Sequence, residues 1–125
     1  MPPAEVQAFC DDAGTSPFND WLADLKAEPR AWKKCLYLIS ALESQGRSLH
    51  MPLSKPLRGG ISELRAKVGT VNYRIFYGFI GPASAVVTHG ITKEGEVPSD
   101  QIDLAIERLE LAKHNPDKYT TDIDF

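Results

Sequence analysis

The sequence predicts an α+β domain in which a small antiparallel β-sheet is packed by an N-terminal helical hairpin, in the order β-α-α-β-β-β-α. Between residues 61 and 93, apolar and polar residues alternate in three runs, as they do in half-buried strands. Ahead of these runs, between residues 17 and 45, apolar residues recur at intervals of three and four, which is typical of amphipathic helices. The length of 125 residues suits one such domain.

The first third of the chain contains one strand and the two helices of the hairpin. Serine is a preferred N-cap, proline is favoured at the first helical position, and glycine ends helices. The predicted elements are a strand over residues 5–10, a helix from the Ser16 cap and Pro17 to Leu25, and a second helix from Pro29 to Gly46. Because almost no loop separates the helices, we expect an antiparallel hairpin across the sheet. The expected buried stripe of the second helix is Trp32, Leu36, Ile39 and Leu42, with Cys35 and Leu38 beside it.

An extended connector, residues 50–60, leads into the three strands, and its two prolines exclude a helix. Alternate residues of a strand share a face. The first strand therefore directs one set outward, Ile61, Glu63, Arg65 and Lys67, and the other set inward, Ser62, Leu64, Ala66 and Val68. In the second strand the core set is Tyr73, Ile75, Tyr77 and Phe79, opposite Arg74 and Phe76. The third strand groups Val87, His89, Ile91 and Lys93. We expect the arginines to face a partly open side of the sheet.

A final helix and an acidic tail complete the predicted domain. Ser99 or Asp100 is the expected N-cap, and Asn115-Pro116 ends the helix. The tail from residue 117 onward is polar and acidic, and we expect it to be mobile. The whole chain, residues 1–125, is therefore interpreted as a single domain with its core over about 5–114 and a tail over 115–125.

Charge is distributed unevenly along the chain. The formal net charge is −3, which alone argues against a nucleic-acid binder. From residue 50 to residue 94, however, six basic residues stand against two acidic ones, so a basic centre lies between acidic flanks. A sheet with a cationic face suggests a ligand that carries phosphate.

The cysteines and histidines indicate neither a metal site nor a secreted protein. Cys10 and Cys35 have no metal-ligand spacing, and the three histidines are far apart. No signal peptide precedes the cysteines, and no apolar run approaches the roughly 18 residues of a membrane span. We therefore predict two reduced core thiols in a cytoplasmic protein, with no cofactor and no membrane association.

Several short motifs occur in a fixed order. They are Gly14-x-x-Pro17 leading into Trp21-Leu22, Lys55-x-Leu57-x-x-Gly60, Glu63-Leu64-Arg65, Tyr73-Arg74-Ile75, His89-Gly90-Ile91-x-Lys93 and Ala105-x-x-Arg108. This ordered set resembles the phage-derived, HigB-like branch of the RelE/ParE toxin superfamily over roughly residues 5–113. The resemblance implies a RelE-like fold and the toxin of a type II toxin–antitoxin pair that cleaves messenger RNA in the ribosomal decoding site. Its implied partners are the ribosome with its messenger RNA and a cognate antitoxin, a helix-turn-helix protein encoded next to it.

Cleavage of RNA without a metal needs a base for the 2′-hydroxyl, cations for the phosphorane and an acid for the leaving oxygen. Arg65 and Arg74 are the candidate cations, because guanidinium groups grip phosphate bidentately, and the resemblance points to the same positions. A surface pair of Arg65 with Glu63 is the structural alternative. Either His89, whose ordinary pKa lies near 6.5, or Glu63 is the candidate for proton transfer.

The remaining candidates are basic residues that contact RNA or phosphate. Lys93 is a candidate phosphate ligand, although Glu94 occupies a position where the family usually has a second basic residue. Candidate contacts to the RNA backbone are Lys55, Arg58 and Lys67. For the helix residues Arg30, Lys33 and Lys34, a solvated face is the first interpretation and RNA contact the second.

Two functions of other classes are compatible with the same sequence. One is a non-catalytic binding module of the same fold that blocks a host target, which the presence of Glu94 favours. The other is a plain nucleic-acid-binding adaptor.

Overall fold

The computed structural model describes residues 3–93 and 95–125, with the backbone alone for Lys93. Within these residues the strands are β1 (Glu5–Phe9), β2 (Ser54–Pro56), β3 (Ser62–Val68), β4 (Val71–Gly81), β5 (Ser84–Lys93) and β6 (Thr120–Thr121). The helices are α1 (Pro17–Leu25), α2 (Pro29–Gln45), α3 (Ser99–His114) and α4 (Pro116–Tyr119), with a short 3₁₀ helix at Gly46–Ser48. The α+β class is thus confirmed.

The described strands form one mostly antiparallel sheet in the order β2-β3-β4-β5-β1-β6. The pairs β2–β3, β3–β4, β4–β5 and β1–β6 are antiparallel, and β1 runs parallel to β5. The long β3-β4-β5 meander forms the centre of this sheet, and its turns fall where glycine and proline predicted them.

The helical hairpin packs on one face of the sheet, as predicted. Ser16 accepts a hydrogen bond from the Asn19 amide and caps α1, and Gly46, with φ of 55°, ends α2. The sheet residues buried against the hairpin include Leu64, Tyr73, Ile75, Tyr77 and Val87. The centre of the α2 stripe differs from the prediction: Trp32 and Leu36 are half-buried, while Ala31, Cys35, Leu38 and Leu42 lie at the centre.

Helix α3 covers part of the opposite face of the sheet. It buries Phe76, Val86 and Ile61 beneath Ala105 and Leu109. The predicted helical hairpin therefore accounts for only one of the two layers, because α3 forms a second. What remains open on this face is the end of β3 and β4 beyond α3.

A β-bulge in β5 overturns one predicted face. Tyr77 pairs with Val87 whereas the preceding Phe76 pairs with His89, so Thr88 is an extra residue between the two pairs. The residues on either side of such a bulge are two positions apart, as residues on one face of a regular strand are, but they point to opposite faces. Val87 consequently belongs to the hairpin face, and His89 faces α3. The grouping of Val87 with His89 and Ile91 was wrong.

The observed element order is longer than the predicted one, and the tail is folded. The connector contains β2, which pairs with β3 through residues 54–56. The tail, predicted to be mobile, forms α4 and β6, and β6 pairs with β1 at Ala8 and Phe9. Asn19 fastens the end further, donating to the Asp122 carbonyl and accepting from the Asp124 amide. These contacts explain why the tail is folded, because they provide hydrogen-bond partners for backbone groups that would otherwise bond to water.

Two other details concern caps and cysteines. Neither Ser99 nor Asp100 caps α3, since Pro98 occupies the N-cap position without a side-chain hydrogen bond. Cys10 and Cys35 are both free and buried, as predicted. Burial raises the pKa of Cys35 to about 12. Among the described helices, none is long and apolar enough to cross a membrane.

Gly90 offers a test of the packing between α1 and the sheet. A Cβ at this position would lie 2.5 Å from the Trp21 ring, whose Nε1 donates to Thr92 Oγ1 at 3.2 Å. We expect Gly90→Ala to lower the free energy of unfolding by about 1–3 kcal/mol, because overpacking forces the ring to move. Urea denaturation with both fluorescence and circular dichroism measures the change.

Gly81→Ala is the matched control, because a Cβ there meets only Ser84, at 3.9 Å. Its unfolding free energy should stay within about 0.5 kcal/mol of the wild type. Equal stabilities for the Gly90 and Gly81 variants would contradict the packing described above.

Candidate functional site

The open end of the sheet is organised around a buried carboxylate. Glu63 lies on β3 with only 1% of its surface exposed. Its Oε1 is 3.6 Å from Arg65 Nε and its Oε2 is 3.5 Å from Arg74 Nη1. A buried charge requires such partners, since leaving it unpaired costs several kcal/mol.

The two arginines are held directly opposite each other. Arg65 on β3 and Arg74 on β4 are cross-strand partners in the antiparallel register. Like charges in this position repel, so the pair alone would destabilise the sheet. Glu63 contacts both guanidinium groups and offsets the repulsion. Three residues from two strands therefore form one charged unit, which we call the Glu63 cluster.

Both guanidinium groups make a further contact. Arg74 Nη2 donates to the Gly95 carbonyl at 2.9 Å, which ties the loop after β5 to the cluster. Arg65 Nη1 contacts the Met51 sulfur at 3.7 Å. The contacts to Glu63 exceed the 2.7–2.9 Å of a close charge-assisted hydrogen bond. Because a guanidinium carries five N–H donors, each arginine retains donors for a ligand.

A cleft of about 350 Å³ opens beside the cluster. The side chain of Arg65 is 38% exposed and that of Arg74 is 13% exposed, so Arg65 is the more accessible of the two. The cleft is lined by Lys55, Leu57, Glu63, Arg65, Arg74, Glu96, Val97 and Ile102. An anion of the size of a phosphodiester fits a cleft with this volume and these cations.

His89 is not among the residues that line this cleft. It is 5% exposed, packs against Phe76 with the two rings tilted by 43°, and places Nε2 3.1 Å from Gln101 Oε1 on α3. Nδ1 lies 3.2 Å from Thr88 Oγ1. Burial and, to a smaller extent, the nearby charge of Arg108 lower the pKa of His89 from 6.5 to about 4, against the opposing effect of the Gln101 contact. His89 is therefore neutral at pH 7, with both ring nitrogens engaged.

The other predicted site residues fall in different places. Lys55 pairs in register with Glu63 and lines the cleft. Arg58 instead fastens the connector to the start of α3, by an ion pair of 2.7 Å with Asp103 and a hydrogen bond of 2.9 Å to Ser99 Oγ. Lys67 is exposed at the edge of the sheet, where its carbonyl accepts from Lys34 Nζ.

The two positions at the end of β5 are described only in part. The Lys93 backbone pairs with Asn72, and its side chain lies outside the described atoms. Glu94, whose charge the sequence singled out, lies outside the described residues.

Three contacts of this region were not identified from the sequence. Gly95 contributes a backbone carbonyl, which every residue carries, so no side-chain pattern reveals it. Met51 lies in an irregular segment, and its position depends on the fold of the connector. The contact of Gln101 with His89 was weakly indicated by the sequence, because Gln101 lies in the first turn of a helix predicted to cross the sheet.

The sequence of the chain matches the model of a known protein family. The family model described as "Phage derived protein Gp49-like (DUF891)" matches residues 20–110, well over half of the chain. The chain belongs to this family. No curated protein matches the chain.

The part matched to the Gp49-like family contains the whole Glu63 cluster and every residue that lines its cleft. Strand β1 and the folded tail lie outside the match. Among the described residues, no three histidine, cysteine or acidic side chains are grouped so as to hold a metal ion. The chemistry available in the described cleft is that of arginine and lysine with two carboxylates, the buried one of Glu63 and the exposed one of Glu96.

His89 gives a prediction for pH. Because its pKa falls from 6.5 in the unfolded chain to about 4 in the folded protein, the unfolded chain binds the extra proton first. The contribution of His89 to stability should be complete above pH 6.5 and should be lost as the pH falls towards 4. NMR titration of the ring and urea denaturation between pH 4 and 7 measure both effects.

His89→Asn should flatten this part of the pH profile while leaving other titrations in place. A ring that titrates near 6.5 in the folded protein would contradict the buried, neutral histidine.

Glu63 gives a prediction for stability. Replacing it with alanine leaves Arg74 nearly buried without its carboxylate, opposite the charge of Arg65. We expect Glu63→Ala to cost about 3 kcal/mol, at the lower end for a broken buried pair because Arg65 is partly solvated. Glu110→Ala, which breaks an exposed pair of 3.6 Å with Lys113, is the control and should cost no more than about 0.5 kcal/mol. If both variants unfold at the same urea concentration, Glu63 does not hold the cluster together.

Proposed function

We propose that this Gp49-like protein is the toxin of a type II toxin–antitoxin pair, of the HigB-like branch of the RelE superfamily, and acts as a ribosome-dependent endonuclease on messenger RNA. One observation carries the proposal. Arg65 and Arg74 stand opposite each other at an open cleft, and a buried carboxylate fixes both. This arrangement supplies preorganised cations where a phosphate would bind. The resemblance of the ordered motifs supplies the substrate and the ribosome.

The proposed reaction is transfer of a phosphodiester to the neighbouring ribose. The 2′-oxygen, losing its proton, forms a bond to phosphorus while the bond from phosphorus to the 5′-oxygen breaks and that oxygen gains a proton. The products are a 2′,3′-cyclic phosphate and a 5′-hydroxyl. The arginines act on the charge that develops on the phosphorane oxygens, where preorganised donors have their largest effect. Lys55, on the neighbouring strand, adds a cation at the same cleft.

The buried position of Glu63 assigns it a positioning role in this proposal. A carboxylate that is 1% exposed and flanked by two guanidinium groups orients them, and it has little access to a ribose hydroxyl. His89 lies under α3 with Gln101 on its Nε2, so proton transfer by His89 would require that contact to open. The arginines consequently carry the proposed catalysis.

The proposed partners are a cognate antitoxin, a helix-turn-helix protein encoded next to this chain, and the ribosome of a bacterial cytoplasm. An antitoxin that covers the cleft would meet Arg65, Arg74 and Lys55, so acidic segments suit it electrostatically. The same cations would face the phosphates of messenger RNA, which makes the two ligands competitors for one surface.

A binding module without catalysis is the second candidate function. The observation that favours it is that both candidates for proton transfer, Glu63 and His89, are buried and engaged. In this alternative the same cleft binds an anionic group of a host target and blocks that target without cleavage.

Substitution of the arginines separates the two candidates. In an endonuclease, Arg65→Ala or Arg74→Ala should lower the cleavage rate about 10²–10³-fold, since each removes a donor that acts mainly in the transition state. Arg74→Lys should be nearly as damaging, because a point charge does not reproduce a fork of donors. Induced expression in a bacterium, scored for growth arrest and for messenger RNA cut at ribosome-occupied codons, measures the effect. Co-expression of the adjacent gene product should restore growth.

Lys113→Ala, at an exposed position of α3, is the matched control and should remain fully toxic. Circular dichroism of each purified variant is required, because Arg74 is nearly buried and its loss affects folding as well. Growth arrest with intact messenger RNA would favour the binding module. Full cleavage by folded Arg65→Ala and Arg74→Ala would place catalysis elsewhere.

A further inference from the structure

The solvent-facing side of α2 is basic and carries an exposed aromatic ring. Residues at helical spacing point away from the sheet, and we call this set the α2 basic face: Arg30, Lys33, Lys34 and Tyr37. Within residues 3–93 and 95–125, no acidic side chain pairs with these cations at ion-pair distance. Four residues of helix span about 6 Å, so the cations form one short stripe. The stripe is available to an external anion.

Tyr37 is the most exposed large hydrophobic residue among those described, at 63%. Its ring stands at the rim of a groove of about 350 Å³ between α2 and the edge of β3. The floor of this groove is apolar and its rim is cationic, with Leu38 and Leu53 below and Lys34 and Lys67 beside. Lys34 Nζ donates to the Lys67 carbonyl at 2.7 Å, which holds the helix against the strand edge.

This groove and the cleft of the Glu63 cluster share one lining residue, Arg65. Arg65 lies on β3 directly after the three residues that pair with β2, and its amide donates to the Leu53 carbonyl at 2.9 Å. A third depression, formed by Pro52, Arg65, Lys67 and Asn72, lies at the same edge. A strand of nucleic acid with one phosphate at Arg65 therefore has a path around the edge of the sheet to Tyr37.

We propose that the α2 basic face binds the single-stranded RNA segment that flanks the phosphate in the cleft, with Tyr37 stacking on one base and Lys33 and Lys67 contacting the backbone. This inference rests on the proposed function and names a second part of its substrate site. Stacking on an exposed ring tolerates any base, and nearby cations follow the phosphates, which is how proteins bind single strands without sequence preference. An acidic peptide would satisfy the cations but would leave the Tyr37 ring without a flat partner.

Fluorescence anisotropy with the purified full chain tests the proposal. The probe is a labelled twelve-nucleotide single-stranded RNA carrying 2′-O-methyl groups, so that binding is measured without cleavage. Tyr37→Ala should weaken binding about tenfold, whereas Tyr37→Phe, which retains the ring, should bind as the wild type does. Lys33→Ala should reduce the dependence of binding on salt by about one phosphate contact. Lys113→Ala is the control and should change neither quantity.

Each outcome supports or overturns the proposal. Weaker binding by Tyr37→Ala with recovery in Tyr37→Phe supports it. Wild-type affinity in both Tyr37→Ala and Lys33→Ala overturns it, as does an absence of RNA binding by the wild type. If poly-L-glutamate competes as well as RNA and Tyr37→Ala has no effect, the face is a general anion-binding surface and the proposal is wrong.

The proposed endonuclease is judged by a different measurement. Cleavage at ribosome-occupied codons depends on Arg65 and Arg74, whereas the change in affinity for uncleavable RNA in the Tyr37 and Lys33 variants reports the α2 basic face. Toxic, RNA-cleaving protein with unchanged RNA affinity in the Tyr37 variants would sink only the inference about α2.

Discussion

A single buried carboxylate holds the open end of this sheet together. Arg65 and Arg74 stand opposite each other across β3 and β4, an arrangement that repulsion would otherwise disfavour. Glu63 lies between their guanidinium groups and fixes both, while the Gly95 carbonyl fixes Arg74 from the other side. The result is a pair of cations whose positions are set before any ligand arrives. Preorganisation of this kind is what distinguishes a phosphate site from a merely basic surface.

The two faces of the sheet differ in role: one contributes mainly to stability, and the other contains the candidate functional site. The hairpin face is apolar and largely buried, and α3 covers part of the other face. The uncovered remainder is where charge is concentrated. The bulge at Thr88 decides which side of this boundary His89 takes, because it turns His89 towards α3 and away from the hairpin. Burial there keeps the ring neutral, which leaves the arginines as the principal chemical groups of the cleft.

Much of this arrangement was predictable from local patterns. The Ser16 cap, the Gly46 stop and the alternation of β3 and β4 depend on residues close in sequence, and each was confirmed. An extra residue in a strand moves the residues after it to the opposite face, while the alternation in the sequence shows no break at that point. The bulge was therefore not predictable. The pairing of β6 with β1 joins residues more than a hundred positions apart through a two-residue strand, too short for any periodicity. The burial of Glu63 likewise depended on how far α3 and the loop after β5 reach over the sheet.

The most direct test of the account is a cleavage assay with purified translating ribosomes. A messenger RNA stalled at a defined codon is incubated with the wild-type protein, and the ends of the fragments are identified by primer extension and by enzymatic treatment of the termini. We predict cutting within the occupied codon, with a 2′,3′-cyclic phosphate and a 5′-hydroxyl at the new ends, and little cutting when ribosomes are omitted. Intact messenger RNA in the presence of folded protein that still arrests translation would contradict this prediction.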